Sequence, residues 1–160
     1  MTPRVGGPRD QGSAIVEVAA LAPLLLIPVL FLALTLHRAE QARLAAATAA
    51  RDAARAYATA PTTNAARTRS HAAIAAAFAD QGLPGARLDI TFAREPGARC
   101  SASSVTAPVL VPGDAVRVCI RAIVALPFAD RGLVSAVLPA GLSVTAQAVA
   151  VVDAHRADPP

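Results

Sequence analysis

Apolar residues are distributed unevenly along this chain, and their spacing divides it into three regimes. From Val18 through Leu36 it reads VAALAPLLLIPVLFLALTL, 19 residues without a charge. A helix from Ser13 to Leu36 would be about 36 Å long, enough to cross a hydrocarbon core of about 30 Å with some tilt. A soluble helix of that length carries a polar face, and this one has none. The run predicts a membrane span over 13–36. Pro23 and Pro28 lie inside it; each removes a backbone donor and predicts a kink, which membrane helices tolerate better than soluble ones. The run also exceeds the 7–15 residues of a secretory signal core. His37-Arg38-Ala39, directly after it, offers no small-x-small cleavage site.

The second regime is helical but polar. RAEQARLAAATAARDAARAYA, from Arg38 to Ala58, consists of strong helix formers. Ala39, Ala42, Ala46, Ala49, Ala53 and Ala56 follow a 3-4 spacing along one face, and Arg38, Glu40, Gln41, Arg51, Asp52 and Arg55 occupy the others. Such a seam suits close packing against a neighbour, although abundant alanine also produces seams by chance. Pro61-Thr62-Thr63-Asn64 breaks this helix and supplies caps for a second, Ala65 to Gln81, with Ile74 and Phe78 four apart and Gly82 as its stop.

The third regime alternates with period two, the mark of half-buried strands. It covers residues 87–92, 115–124 and 142–149, with turn chemistry at Pro112-Gly113-Asp114 before the second run. Pro127 to Gly141 reads as a connection with room for one helical turn, and Ala154 to Pro160 as a loose tail. The predicted fold class is α+β: an N-terminal transmembrane helix continuing into a helical stalk, then a small α+β head containing an antiparallel sheet. The boundaries are a tail over 1–12, the span over 13–36, the stalk over 37–60, the head over 61–153 and the tail over 154–160.

Composition narrows the chemistry. Of the 160 residues 54% are hydrophobic, 3% aromatic and 16% charged, with no Trp, so an aromatic platform for single-stranded nucleic acid is not expected. The 15 basic residues are all Arg and are dispersed, so the net charge of +4 does not by itself identify nucleic acid as a partner. Three isolated histidines, His37, His71 and His155, form no metal-binding pair, and the two cysteines lack metal spacing. No Ser/His/Asp set or carboxylate pair can be assigned, so no catalytic residue, cofactor, metal or small-molecule substrate is expected.

The entry to the span is the most informative segment: Asp10-Gln11-Gly12-Ser13-Ala14-Ile15-Val16-Glu17. A glycine precedes the apolar run, and a single carboxylate lies five residues later, in the first turn of the predicted span. A charge in a membrane helix is costly, less so near an end. Were the chain cut after Gly12, Ser13 would gain an α-amino group with a pKa of about 8. That ammonium could neutralise Glu17 of an adjacent subunit. The plainer alternative is that Glu17 simply benefits from the helix dipole at an interfacial depth.

Glycine, a short apolar tetrad and Glu at the fifth position resemble the processing signature of type IV prepilins and pseudopilins. GSAIVEVAALAP is more specifically similar to the entry of TadE-like proteins, minor pseudopilins of tight-adherence (Flp-type) pilus systems. Glu17 and Pro23 hold the places of that family's Glu and of the proline about six residues on. Val18 stands where the family often has an aromatic. The resemblance extends through ARDAARAYA and, in architecture only, to a β-rich head with a cysteine pair. It implies a leader of residues 1–12, removed by a prepilin peptidase between Gly12 and Ser13. It further implies a single-pass protein in the cell membrane with an extracytoplasmic head, working with other pilins or pseudopilins and the pilus assembly platform. The alternative is an unprocessed single-span protein whose external head binds a ligand or partner. Arginine counting opposes the outward orientation, because Arg38, Arg43, Arg51 and Arg55 follow the span against Arg4 and Arg9 before it.

Cys100 and Cys119 complete the set. Cys119 lies in an alternating run and Cys100 nineteen positions earlier in a polar stretch, CSASS, that can fold back on it. Cys100 and Cys119 are expected to form a disulfide, which needs an oxidising compartment; the alternative is a pair of buried or idle thiols.

Overall fold

The computed structural model describes residues 10–94, 108–126 and 141–154, with main chain only at 10–15 and 20. The elements are α1 (Asp10–Ala58), α2 (Thr63–Asp80), β1 (Arg87–Arg94), β2 (Ala115–Ala125) and β3 (Gly141–Val151). This is the expected α+β mixture. Two compact units divide at His37/Arg38.

In the first unit, α1 carries Pro23 and Pro28 within continuous helix. Every described side chain from Val16 to Leu30 is exposed. Leu24, Leu25, Leu26 and Ile27 show 65–69% of their surface, so no protein covers any side of this stretch. An aqueous environment would penalise such a surface at about 25 cal/mol per Å². The helix is long and apolar enough to cross a membrane.

The second unit begins where α1 becomes alanine-rich. Ala42, Ala45, Ala46, Ala49, Ala50, Ala53, Ala54 and Tyr57 are at most 1% exposed and belong to one hydrophobic cluster with α2 and the sheet. The buried stripe is wider than the predicted seam: it gains Ala45, Ala50, Ala54 and Tyr57, while Ala39 and Ala56 are half-buried. The segment expected as a stalk thus supplies one wall of the head's core. Its other side, with Arg43, Thr48, Arg51, Asp52 and Arg55, faces solvent.

α2 is bounded by two local devices. At its start the Thr62 hydroxyl accepts a bond from the Ala65 N–H (3.2 Å), the expected cap. At its end Gly82 has φ +69°, and the N–H groups of Gly82 and Leu83 donate to Ala79 O (2.9 Å) and Phe78 O (2.8 Å). That pair of bonds is a Schellman motif, sealed by buried Leu83 and Phe78. Ala66, Ser70, Ile74, Ala77 and Phe78 form the buried stripe of α2. Ser70, fully buried, donates to Ala53 O at 2.9 Å, a bond between helices that only small side chains let approach closely.

The strands form an antiparallel sheet in the order β1-β2-β3. Val116, Val118, Ile120, Ala122 and Val124 of β2 are buried in the cluster, joined by Phe92 of β1 and Val144 of β3 on the same face. The turn ahead of β2 is set by Pro112 and by Gly113 at φ +81°, with Asp114 N–H donating to Val111 O (3.1 Å). Proline then a positive-φ glycine is the arrangement of a type II turn. Gly113 N–H donates to Val152 O (3.0 Å) and Val152 N–H to Asp114 O (2.8 Å), a glycine bulge that hands the turn into the sheet. Residues 127–140, the predicted connection, and most of the predicted C-terminal tail lie outside the described residues.

Candidate functional site

The predicted site residues fall in two places: the membrane-entry end of α1 and the sheet of the head. Gly12 and Ser13 lie in helical backbone within the first turn of α1. The N–H groups of a first turn have no intrahelical partner, so opening the Gly12–Ser13 bond to a peptidase would disrupt few hydrogen bonds. Glu17 is exposed. Because α1 begins at Asp10, Glu17 lies about two turns in, not in the first turn. In a chain beginning at Ser13 it would lie little more than one turn from the helix start, nearer the end where the dipole favours a carboxylate. Pro23 and Pro28 both lie within α1.

In the head, Cys119 is near the middle of β2, between Thr91 of β1 and Gln147 of β3, and is 5% exposed. It shares the face of the sheet opposite the helices with Arg117 and Arg121, where the Arg117 guanidinium donates to the Gln147 side-chain oxygen at 2.8 Å. There is no free cysteine among the described residues. Cys100 lies outside them, within the 95–107 segment, so its pairing with Cys119 is not on view.

The ends of that segment are held. Tyr57, fully buried, donates its hydroxyl to Pro108 O at 2.6 Å, and its ring lies 5.0 Å from Phe92. Arg94 meets Asp114 at 3.1 Å and donates to Val109 O at 3.4 Å. The Arg94–Asp114 pair is partly exposed and contributes little stability in itself, but it closes β1 onto the turn before β2. Burial pushes the Tyr57 phenol above its ordinary value of 10, opposed by the Arg67 guanidinium. Sequence reasoning missed Tyr57 and Ser70. The available signal for Tyr57 was its place as the one tyrosine in the chain, at the end of an alanine helix.

No group of His, Cys, Asp and Glu among the described residues could hold a metal ion. A shallow open groove of about 250 Å³ is lined by Arg87, Leu88, Asp89, Arg121 and Ile123. It brings together charge but no nucleophile beside a base. The first unit thus carries a helix long and apolar enough to cross a membrane, and the second packs its own small α+β core.

Residues 12–55 match the model of the TadE-like protein family. The match begins at the glycine of the entry motif and ends within the alanine helix, leaving the sheet outside it. No curated protein and no solved structure matches the chain.

Proposed function

The chain is TadE-like over residues 12–55, and on that premise we propose that it is a membrane-anchored, pilin-like structural component of a Tad/Flp-type pilus assembly or secretion system. The family match over residues 12–55 and a helix long and apolar enough to cross a membrane support this reading. The finer reading is that a prepilin peptidase removes residues 1–12, that Ser13 becomes the N-terminus, and that Glu17 then pairs with the terminal ammonium of a neighbouring pilin or pseudopilin. The observation that carries this is the coincidence at Gly12, where the glycine, the family match and the approach to an uncovered apolar helix meet. A structural role accords with what the family does.

The head is assigned to the extracytoplasmic side, with Cys100 bonded to Cys119. Reach permits the bond. Cys119 lies three rungs along the sheet from Val116, the partner of Arg94, or about 10 Å. The six residues from Arg94 to Cys100 can extend about 20 Å. Pro23 and Pro28 are assigned kinks that shape the span for packing among other helices.

Intact mass and N-terminal sequencing of membrane-extracted protein test the reading. A mature terminus at Ser13, lost when Gly12 is replaced, is expected. A terminus at Met1 or Thr2 would leave an unprocessed single-span anchor with a partner-binding head.

A further inference from the structure

The sheet has two edges that differ in kind. β1 carries Arg87, Asp89 and Arg94. β3, GLSVTAQAVAV, carries neither charge nor proline over its 11 residues. Its register with β2 runs without interruption from Ala125↔Gly141 to Ala115↔Val151, so no bulge breaks it. Sheet edges are ordinarily guarded by charge, proline, bulges or brevity. β3 has none of these.

The hydrogen bonds fix which groups point outward. Val152 bonds to the β2 side through both its N–H and its C=O. In an antiparallel ladder alternate residues then do the same, so the even-numbered residues of β3 face β2. Ser143, Thr145, Val149 and Val151 accordingly turn their N–H and C=O groups away from it, and all four are exposed. No strand lies beyond β3 among the described residues.

We propose that β3 is an assembly edge that pairs antiparallel with β3 of a second copy of this chain, joining two sheets about a two-fold axis. Charge selects the occupant. The chain has a net charge of +4, and a seam through β1 would gather Arg87, Asp89 and Arg94 of both copies, an excess of two positive charges. A seam through β3 gathers no charge at all. A charged strand from another protein would find no counter-charge on β3, whereas β3 itself is neutral and of matching length. In the full-length register Ala146 lies on the axis, Thr145 meets the partner's Gln147 and Ser143 meets the partner's Val149. The outer face then pairs uncharged residues, Thr145 with Gln147 and Ser143 with Val149, and the inner-face alanines extend the core. Anchoring both copies in one membrane raises their effective concentration.

The test uses the full chain in detergent micelles or nanodiscs, with mass measured by light scattering and native mass spectrometry across a concentration series. A dimer is expected. Thr145→Pro removes an outward N–H without touching the β2 ladder and should raise the dimer dissociation constant at least about tenfold. Val149→Lys, which places charge at the seam on an exposed site, should do the same should the proline variant misfold. Copies carrying Ser143→Cys, mixed with copies carrying Val149→Cys, should be bridged by a short bismaleimide. A wild-type monomer at every concentration, dimers undisturbed by Val149→Lys, or an absent Ser143→Cys/Val149→Cys bridge would each overturn the proposal. A monomer whose Ser143 and Thr145 amides resist hydrogen exchange would mean that the chain covers this edge itself.

Discussion

Replacing Tyr57 by Phe isolates one hydrogen bond in the head. The ring is fully buried and pairs with Phe92 at 5.0 Å, and Phe preserves both features. What disappears is the 2.6 Å bond to Pro108 O, which leaves a half-buried carbonyl without its donor. A net hydrogen bond is worth about 1 kcal/mol, and an unsatisfied acceptor adds to the loss, so Tyr57→Phe should cost about 1–2 kcal/mol. Tyr57→Ala also removes the ring from a packed site and should cost about 3–5 kcal/mol. The burial of the same phenol has a pH signature. The folded phenol is pushed above 10, so above pH 10 the unfolded chain releases a proton that the folded chain still holds. Unfolding free energy is therefore fully retained below about pH 10 and falls as pH rises toward the folded value, by at most about 1.4 kcal/mol per pH unit. The chain suits this measurement because it contains no Lys, no Trp and a single Tyr. Arginine stays charged, so tyrosinate absorbance reports this site alone. Denaturant unfolding of the full chain in micelles, followed by circular dichroism at pH 7 and pH 11, should show the alkaline loss in wild type and not in Tyr57→Phe. Equal stability of the two at pH 7, together with an alkaline loss that survives the substitution, would refute the argument.

Other outcomes follow from the same packing. Ala49→Leu inserts a large side chain where none is exposed and should destabilise the head by about 1–3 kcal/mol, whereas Thr48→Leu on the exposed side should change thermal stability little. Gly141→Ala should also destabilise, because a Cβ there would meet Ile123 Cγ2 at 2.9 Å and Val124 O at 3.0 Å; denaturant midpoints decide both cases. On the proposed function, Glu17→Ala should leave membrane insertion intact and reduce co-purification with pilins or pseudopilins, and unchanged co-purification would remove the role assigned to Glu17. Thiol blocking in intact cells followed by non-reducing mass spectrometry should find Cys100 joined to Cys119. Alkylated, reduced thiols would leave the arginines after Leu36 as the stronger guide to orientation.

The sequence by itself determined the features whose cause is local. Nineteen uncharged residues make a membrane-length helix whatever surrounds them. Thr62 and Gly82 bound α2 through their own backbone preferences, and the three alternating runs appear as β1, β2 and β3 with ends moved by at most two residues. The entry motif was equally legible, since a glycine, an apolar tetrad and a carboxylate are a pattern in one dimension. The tertiary structure decided what alternation and alanine leave open. Alanine is compatible with solvent, with a neighbouring protein or with the chain's own core, and its abundance blurs the helical period that would choose among them. Only α2 and the sheet, docking against Ala42 to Tyr57, make that segment a wall of the core. Period two likewise assigns residues to two faces without saying which is covered. Cys119 shares its face with exposed Arg121 yet is itself 5% exposed, an outcome set by neighbours distant in sequence. The bonds from Tyr57 to Pro108 and from Ser70 to Ala53 span 51 and 17 positions, and such distances carry no sequence period from which they could be read.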